Sequence, residues 1–171
     1  MVKQILLIVI SVIVAMALLI LPLPTWLVWL RPEWVLLVII YWLLVIPENI
    51  GIGIAWSIGL LVDILQGTLF GEHALVFAAV GYFIVKFHKP MTHAAMRGQI
   101  LIVLLLILLY QVLLLWIQGL IGQLPNLTLY WLAAFTSTLL WPWIYWLLND
   151  IRMRIALNDK VQIDNFGHMS E

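Results

Sequence analysis

The stretch Gly59-Leu-Leu-Val-Asp63-Ile-Leu-Gln-Gly67-Thr-Leu-Phe-Gly71-Glu72-His73 sets one carboxylate into an apolar segment that has a glycine or this aspartate at every fourth position. Gly51 and Ala55 continue the spacing backwards, so on a helix these positions form one stripe. A stripe of small residues favours close approach of another helix over contact with lipid. The sequence therefore predicts a helix-packing seam that carries Asp63 and consists of Gly51, Ala55, Gly59, Gly67 and Gly71.

The composition is that of a membrane protein. Of 171 residues, 65% are hydrophobic and only 9% are charged, whereas about a quarter of the residues are charged in a typical soluble domain. The long apolar runs predict an all-α, polytopic membrane protein with membrane lipid around it. The chain has no cysteine, which excludes disulfides and thiolate metal sites, and its zero net charge gives no basis for binding nucleic acid.

Apolar segments divide the chain into a bundle of about six transmembrane helices. They span residues 5–21, 31–46, 50–66, 72–87, 98–121 and 129–148. We expect the first to be retained as a span rather than removed as a signal peptide, because its apolar run continues past the cleavage-like Ala15-Met16-Ala17. The prediction is a single transmembrane domain at 1–150, followed by a cytoplasmic juxtamembrane helix and flexible tail at 151–171.

Positive charge predicts the orientation of this bundle. With six spans, the N-terminus, the 86–97 loop and the tail share one side of the membrane. They hold every lysine and arginine except Arg31, namely Lys3, Lys86, Lys89, Arg97, Arg152, Arg154 and Lys160. The positive-inside rule then predicts that both termini are cytoplasmic.

A polar cluster is expected at the opposite, outer end of the bundle. The third helix runs outward and brings Asp63 to within about one turn of its outer end. Arg31, Glu33, Glu72 and His73 lie at the same level, and Arg31 is the expected counter-ion of Asp63. An ionisable group in a span is costly enough to suggest a function such as partner binding, but a structural ion pair explains it equally well.

The remaining polar and aromatic residues suggest packing roles. Trp131, Trp141, Trp143 and Trp146 predict aromatic belts at the interfaces. Gln111 and Gln118 lie seven residues apart on one face and are expected to hydrogen-bond to another helix. We find no catalytic constellation and no metal site, and we expect no cofactor.

Three motifs in order carry a family resemblance. They are Arg31-Pro32-Glu33-Trp34-Val-Leu-Leu with Tyr41-Trp42, then Gly59-Leu-x-x-Asp63-x-x-x-Gly67-x-x-x-Gly71, and finally Leu140-Trp141-Pro142-Trp143. Together they resemble the bacterial rod shape-determining family MreD over about residues 1–157. Glu33 stands where that family often has Asp or Asn.

The resemblance implies a non-enzymatic component of the cell-elongation machinery in the bacterial inner membrane. Members of this family work with the bitopic protein MreC, and with RodA and its transpeptidase, RodZ and MreB, to direct lateral peptidoglycan synthesis and maintain rod shape. The family is also similar in architecture to the substrate-binding subunits of vitamin transporters. A small-molecule transport subunit is therefore the alternative function.

Overall fold

The computed structural model describes residues 2–24, 27–47, 50–122 and 127–167. No strand occurs within these ranges, and the prediction of an all-α membrane protein is confirmed. Among the described residues, three stretches are long and apolar enough to cross a membrane, namely Lys3–Ile20, Val28–Val45 and Met96–Ile121. The helices are α1 (Val2–Ile20), a 3-10 turn (Val28–Leu30), α2 (Trp34–Val45), α3 (Ile52–Gln66), α4 (Glu72–Lys86), α5 (His88–His93), α6 (Met96–Ile121), α7 (Leu127–Tyr130) and α8 (Leu132–Gly167).

Helix α2 forms the centre of the bundle. Every residue from Val35 to Leu44 is buried, because α1, α4, α5 and α8 pack around it. A helix that is apolar on all sides is stable only when it is enclosed, as α2 is. A buried hydrogen bond from Trp42 Nε1 to Ser11 Oγ, 2.9 Å long, fixes α1 against α2.

Helices α3 and α4 form a hairpin in which small residues allow close packing. A Cβ at Gly59 would lie 2.5 Å from the Ala74 Cα, so only glycine permits this approach. Ala55 is buried one turn earlier, and a Cβ at Gly81 would lie 3.4 Å from the Ala55 Cβ. The contact between the two helices therefore runs through Ala55 and Gly59.

The predicted seam is wrong at its other three glycines. Helix α3 ends at Gln66, and the chain reverses through Gly67 and Gly71, whose φ angles are 65° and 100°. A Cβ on Gly51, Gly67 or Gly71 would meet no atom within 4 Å, so none of the three lies in a close contact. The prediction assumed that one helix continues through all of these positions. Glycine instead allows the left-handed backbone with which α3 ends.

The prediction that Trp141 belongs to an interfacial aromatic belt is wrong. That side chain is fully buried, with its ring centroid 5.9 Å from that of Tyr145, while Trp143 and Trp146 are exposed and Trp131 is half-buried. Positions 141 and 143 point in nearly opposite directions on a helix, so both cannot face the same surroundings. Helix α8 continues through Pro142 to Gly167, into the predicted flexible tail; residues 168–171 lie outside the described chain.

The two ends of the bundle differ in character. At the basic end, where α4 ends and α6 begins, Lys86 Nζ lies over the rings of Tyr82 and Phe87, and Thr92 of α5 donates to the carbonyl of Leu44. The short helix α5 was not predicted. We call the opposite end, which holds the turn from Gly67 to Gly71, the polar end.

Candidate functional site

Asp63 is the most highly bonded side chain of the polar end. Its Oδ2 accepts a hydrogen bond from the Gly71 amide at 2.8 Å, and its Oδ1 accepts from the His73 amide at 2.8 Å and from Thr68 Oγ1 at 3.2 Å. His73 Nδ1 also lies 2.8 Å from Oδ1. Because an ionised carboxylate only accepts hydrogen bonds, this contact requires a proton on Nδ1. The buried carboxylate is thus satisfied within its own hairpin.

The backbone of Asp63 holds the other side of the same turn. Its carbonyl accepts from the amides of Gly67 and, at 3.2 Å, Thr68, which closes the C-terminus of α3. Such bonds satisfy helix-end carbonyls when glycine takes the left-handed conformation. One residue therefore ends α3 with its carbonyl and begins α4 with its carboxylate.

The predicted ion pair between Arg31 and Asp63 is wrong. Arg31 Nη2 instead donates to the carbonyl of Leu21, just past the end of α1, where a helix dipole favours positive charge. Arg31 interacts electrostatically with the carboxylate of Glu33. The prediction considered only charged residues as partners for Asp63. The turn instead provides its carboxylate with hydrogen bonds from two amides and a hydroxyl, and with a contact to an imidazole.

The two other carboxylates join separate helices. Glu72 is buried, and its Oε1 accepts from Gln118 Nε2 at 2.6 Å, which ties α4 to α6. Glu33 accepts from the Tyr110 hydroxyl at 3.3 Å, and its amide donates to Ser137 Oγ at 2.9 Å. These contacts fix the start of α2 against α6 and α8.

Gln111 and Gln118 of α6 hydrogen-bond to other helices, as predicted. Gln118 reaches Glu72, while Gln111 Nε2 donates to the Tyr130 carbonyl at 3.1 Å and Tyr130 returns a bond to the Gln111 carbonyl at 3.2 Å. Sequence reasoning missed Thr68, Tyr110 and Ser137. Each is a hydroxyl group in or beside an apolar span, where a polar group needs a partner.

The His73 ring links the Asp63 turn to the rest of this end. Its centroid lies 6.3 Å from that of Phe77 and 6.3 Å from that of Tyr110, whose hydroxyl binds Glu33. We call the linked residues Glu33, Asp63, Glu72, His73, Tyr110 and Gln118 the polar cluster. Within the described ranges, no three histidine, aspartate or glutamate residues are grouped to hold a metal ion. The cluster joins four helices by hydrogen bonds.

A second feature is an apolar groove between α1 and α3. Its volume is about 680 Å³. It is lined by Ile5, Ile8, Val9, Val12, Ile13, Met16, Ile50, Ile54, Ile58 and Leu61. No side chain of the polar cluster is part of this lining. The groove is therefore open and lined only by apolar side chains.

Comparison with known proteins identifies the family. The family model of rod shape-determining protein MreD matches residues 2–151. The rod shape-determining protein MreD of Haemophilus influenzae (strain ATCC 51907 / DSM 11121 / KW20 / Rd) is 33% identical over 132 residues, which cover 75% of this chain and 80% of the relative. No solved structure matches the chain. The chain belongs to the MreD family of rod shape-determining membrane proteins.

Proposed function

We propose that the chain is a non-enzymatic, multi-pass scaffold of the bacterial inner membrane that organises lateral peptidoglycan synthesis. Its direct partner is MreC, and it works beside RodA and its transpeptidase, RodZ and, indirectly, MreB. In this proposal six spans cross the membrane with the basic end in the cytoplasm. The observation that carries the proposal is the apolar groove between α1 and α3.

The groove suits a single helix from a bitopic partner. Helices α1 and α3 make few contacts with each other, so their facing side chains are available to a third helix. In a bilayer, helices associate through close van der Waals packing rather than through removal of apolar surface from water. A groove that is shaped along two helices offers more such contact than a flat, lipid-facing surface.

The alternative of a vitamin-transport subunit has less support from the site. A small-molecule pocket combines apolar walls with a few polar groups that orient the ligand. The lining side chains of the groove are all apolar, and the carboxylates of the polar cluster bind groups of the chain itself. Packing against a helix fits this groove better than recognition of a polar molecule.

Filling the groove tests the proposal. Val9→Trp and Ile54→Trp place a large ring on its two walls, and Leu105→Trp adds the same ring to an exposed position of α6 outside the groove. We expect the groove variants to reduce co-purification with MreC about tenfold, or ~1.4 kcal/mol, at normal membrane abundance. They should also fail to restore rod shape to depleted cells, whereas Leu105→Trp should behave like the unchanged chain.

One result would overturn the scaffold role, and another would overturn the groove as its binding site. One is a purified chain that retains a bound vitamin, together with depleted cells that stay rod-shaped but need that vitamin. The other is full MreC binding by both groove variants, which would place the partner helix elsewhere and remove the observation that carries the proposal.

A further inference from the structure

We propose that Leu69 and Phe70, at the tip of the α3–α4 hairpin, form a lipid anchor that inserts into the membrane interface at the polar end. Leu69 is 55% exposed and Phe70 is 69% exposed, although the residues on either side of the turn are bonded to the protein. Two adjacent apolar side chains thus point away from the bundle at the outermost part of the hairpin. No other function proposed for the chain depends on them.

Five backbone amides of this tip have hydrogen-bond partners within the chain. The amides of Gly67 and Thr68 bind the Asp63 carbonyl, those of Gly71 and His73 bind its carboxylate, and the Glu72 amide binds the Leu69 carbonyl at 3.0 Å. Irregular backbone near the hydrocarbon region requires partners within the protein, since few waters are available there. The Asp63 turn meets that requirement at these five amides, and what it presents to its surroundings is the apolar pair.

The hydrogen bond between Glu72 and Gln118 sets the depth of the tip. It aligns the start of α4 with the last turn of α6, a helix of 26 residues. Such a helix is about 39 Å long, whereas the hydrocarbon core is ~30 Å thick, so its last turn reaches the interface. Trp116, which is 69% exposed on this part of α6, is the residue type typical of that layer. Leu69 and Phe70 lie three and two residues before Glu72 in the turn, and so in the same layer.

Lipid fits this surface better than a protein partner does. A stable protein interface buries roughly 800 Å² on each side, which is far more than two side chains on a tight turn provide. An aromatic ring and a leucine at the boundary between headgroups and acyl chains need no such area, because each contributes separately by leaving water. The turn then holds the hairpin at a fixed depth.

Site-directed spin labelling can measure this depth, because the chain has no cysteine of its own. Phe70→Cys and, separately, Leu69→Cys would be labelled in the otherwise unchanged chain and reconstituted into phosphatidylethanolamine–phosphatidylglycerol vesicles. Leu105→Cys on the exposed face of α6 gives a hydrocarbon reference, and Arg154→Cys gives an exposed reference beyond the predicted spans. The measured quantity is the ratio of oxygen to nickel-chelate accessibility.

We expect the ratio at residues 69 and 70 to lie between the two references and severalfold above that at residue 154. A ratio equal to that at residue 154 would overturn the proposal. So would labels that are exposed in the chain alone and protected only when MreC is added, since the tip would then be a protein contact. The comparison with the two reference positions uses vesicles without a partner, so its result is independent of the proposed binding to MreC.

Discussion

The two faces of α3 serve different purposes. The face toward α4 carries Ala55, Gly59 and Asp63, and its contacts are close packing and hydrogen bonds within the chain. The face toward α1 carries Ile54, Ile58 and Leu61, and these side chains line an open groove. Small and polar residues thus fix the hairpin, while large apolar residues line the groove that we propose for a partner. Substitutions on the α4 face should change the amount of folded protein, whereas those on the groove face should change binding.

Removal of the Asp63 carboxylate should have the largest effect. Asp63→Ala leaves the buried His73 imidazole and the amides of Gly71 and His73 without their acceptor, and loss of one member of a buried pair costs about 3–5 kcal/mol. We expect a large fall in the monodisperse yield from detergent and in the temperature of unfolding. Asp63→Asn should be intermediate, because its amide keeps one acceptor oxygen but turns a donor toward a donor.

Asp150→Ala is the matched control for this prediction. Asp150 also pairs with a basic side chain, Arg154 at 2.7 Å, but both groups are accessible, and exposed pairs contribute only ~0–1 kcal/mol. Normal yield and unfolding temperature for Asp63→Ala, with loss of MreC binding alone, would show that Asp63 acts at a partner surface instead.

Gly59→Ala should have the next largest effect. The added methyl group would meet the Ala74 backbone at 2.5 Å, so α3 and α4 must separate, and overpacking of this kind costs about 1–3 kcal/mol. Gly53→Ala on the same helix meets nothing within 4 Å and should stabilise the helix by up to ~1 kcal/mol. Thermal unfolding in one detergent compares the two, and shifts in the same direction would contradict the close contact at Gly59.

A smaller effect distinguishes two explanations of Gly71. If its role is the left-handed backbone, with φ of 100°, Gly71→Ala should cost about 1–2 kcal/mol and Gly71→Asn less, because asparagine tolerates that region better. If a close helix contact mattered, the larger asparagine should be the worse substitution. Gly51→Ala is the control, since its φ of −84° suits any residue. The measurement is again the unfolding temperature.

The sequence alone predicted an all-α membrane protein, because long apolar runs are a local property of the chain. It also predicted the hydrogen bonds of Gln111 and Gln118 to other helices, since an amide in a span requires a partner. It could not predict that Asp63 would bind backbone amides, because these appear only when glycine reverses the chain. Nor could it predict that Trp141 is buried and Trp143 exposed, because this difference depends on which face of α8 packs against the other helices.

The smallest expected effect is the coupling between Arg31 and Asp63. In the structure Arg31 binds the Leu21 carbonyl and Asp63 binds its own turn, so each residue contributes to stability without the other. Arg31→Ala should therefore cost about 0.3–1 kcal/mol, the usual contribution of a cation at a helix C-terminus. The double variant with Asp63→Ala should equal the sum of the single changes within ~0.3–0.5 kcal/mol, as for residues that share no contact. Measuring the unfolding of all four proteins in one detergent completes the cycle.

A double variant that is more stable than this sum predicts by more than ~1 kcal/mol would mean that the two charges interact in the folded chain. Asp63 would then belong to contacts with α1 and α2 as well as to the α4 face, and the division between the two faces of α3 would no longer hold.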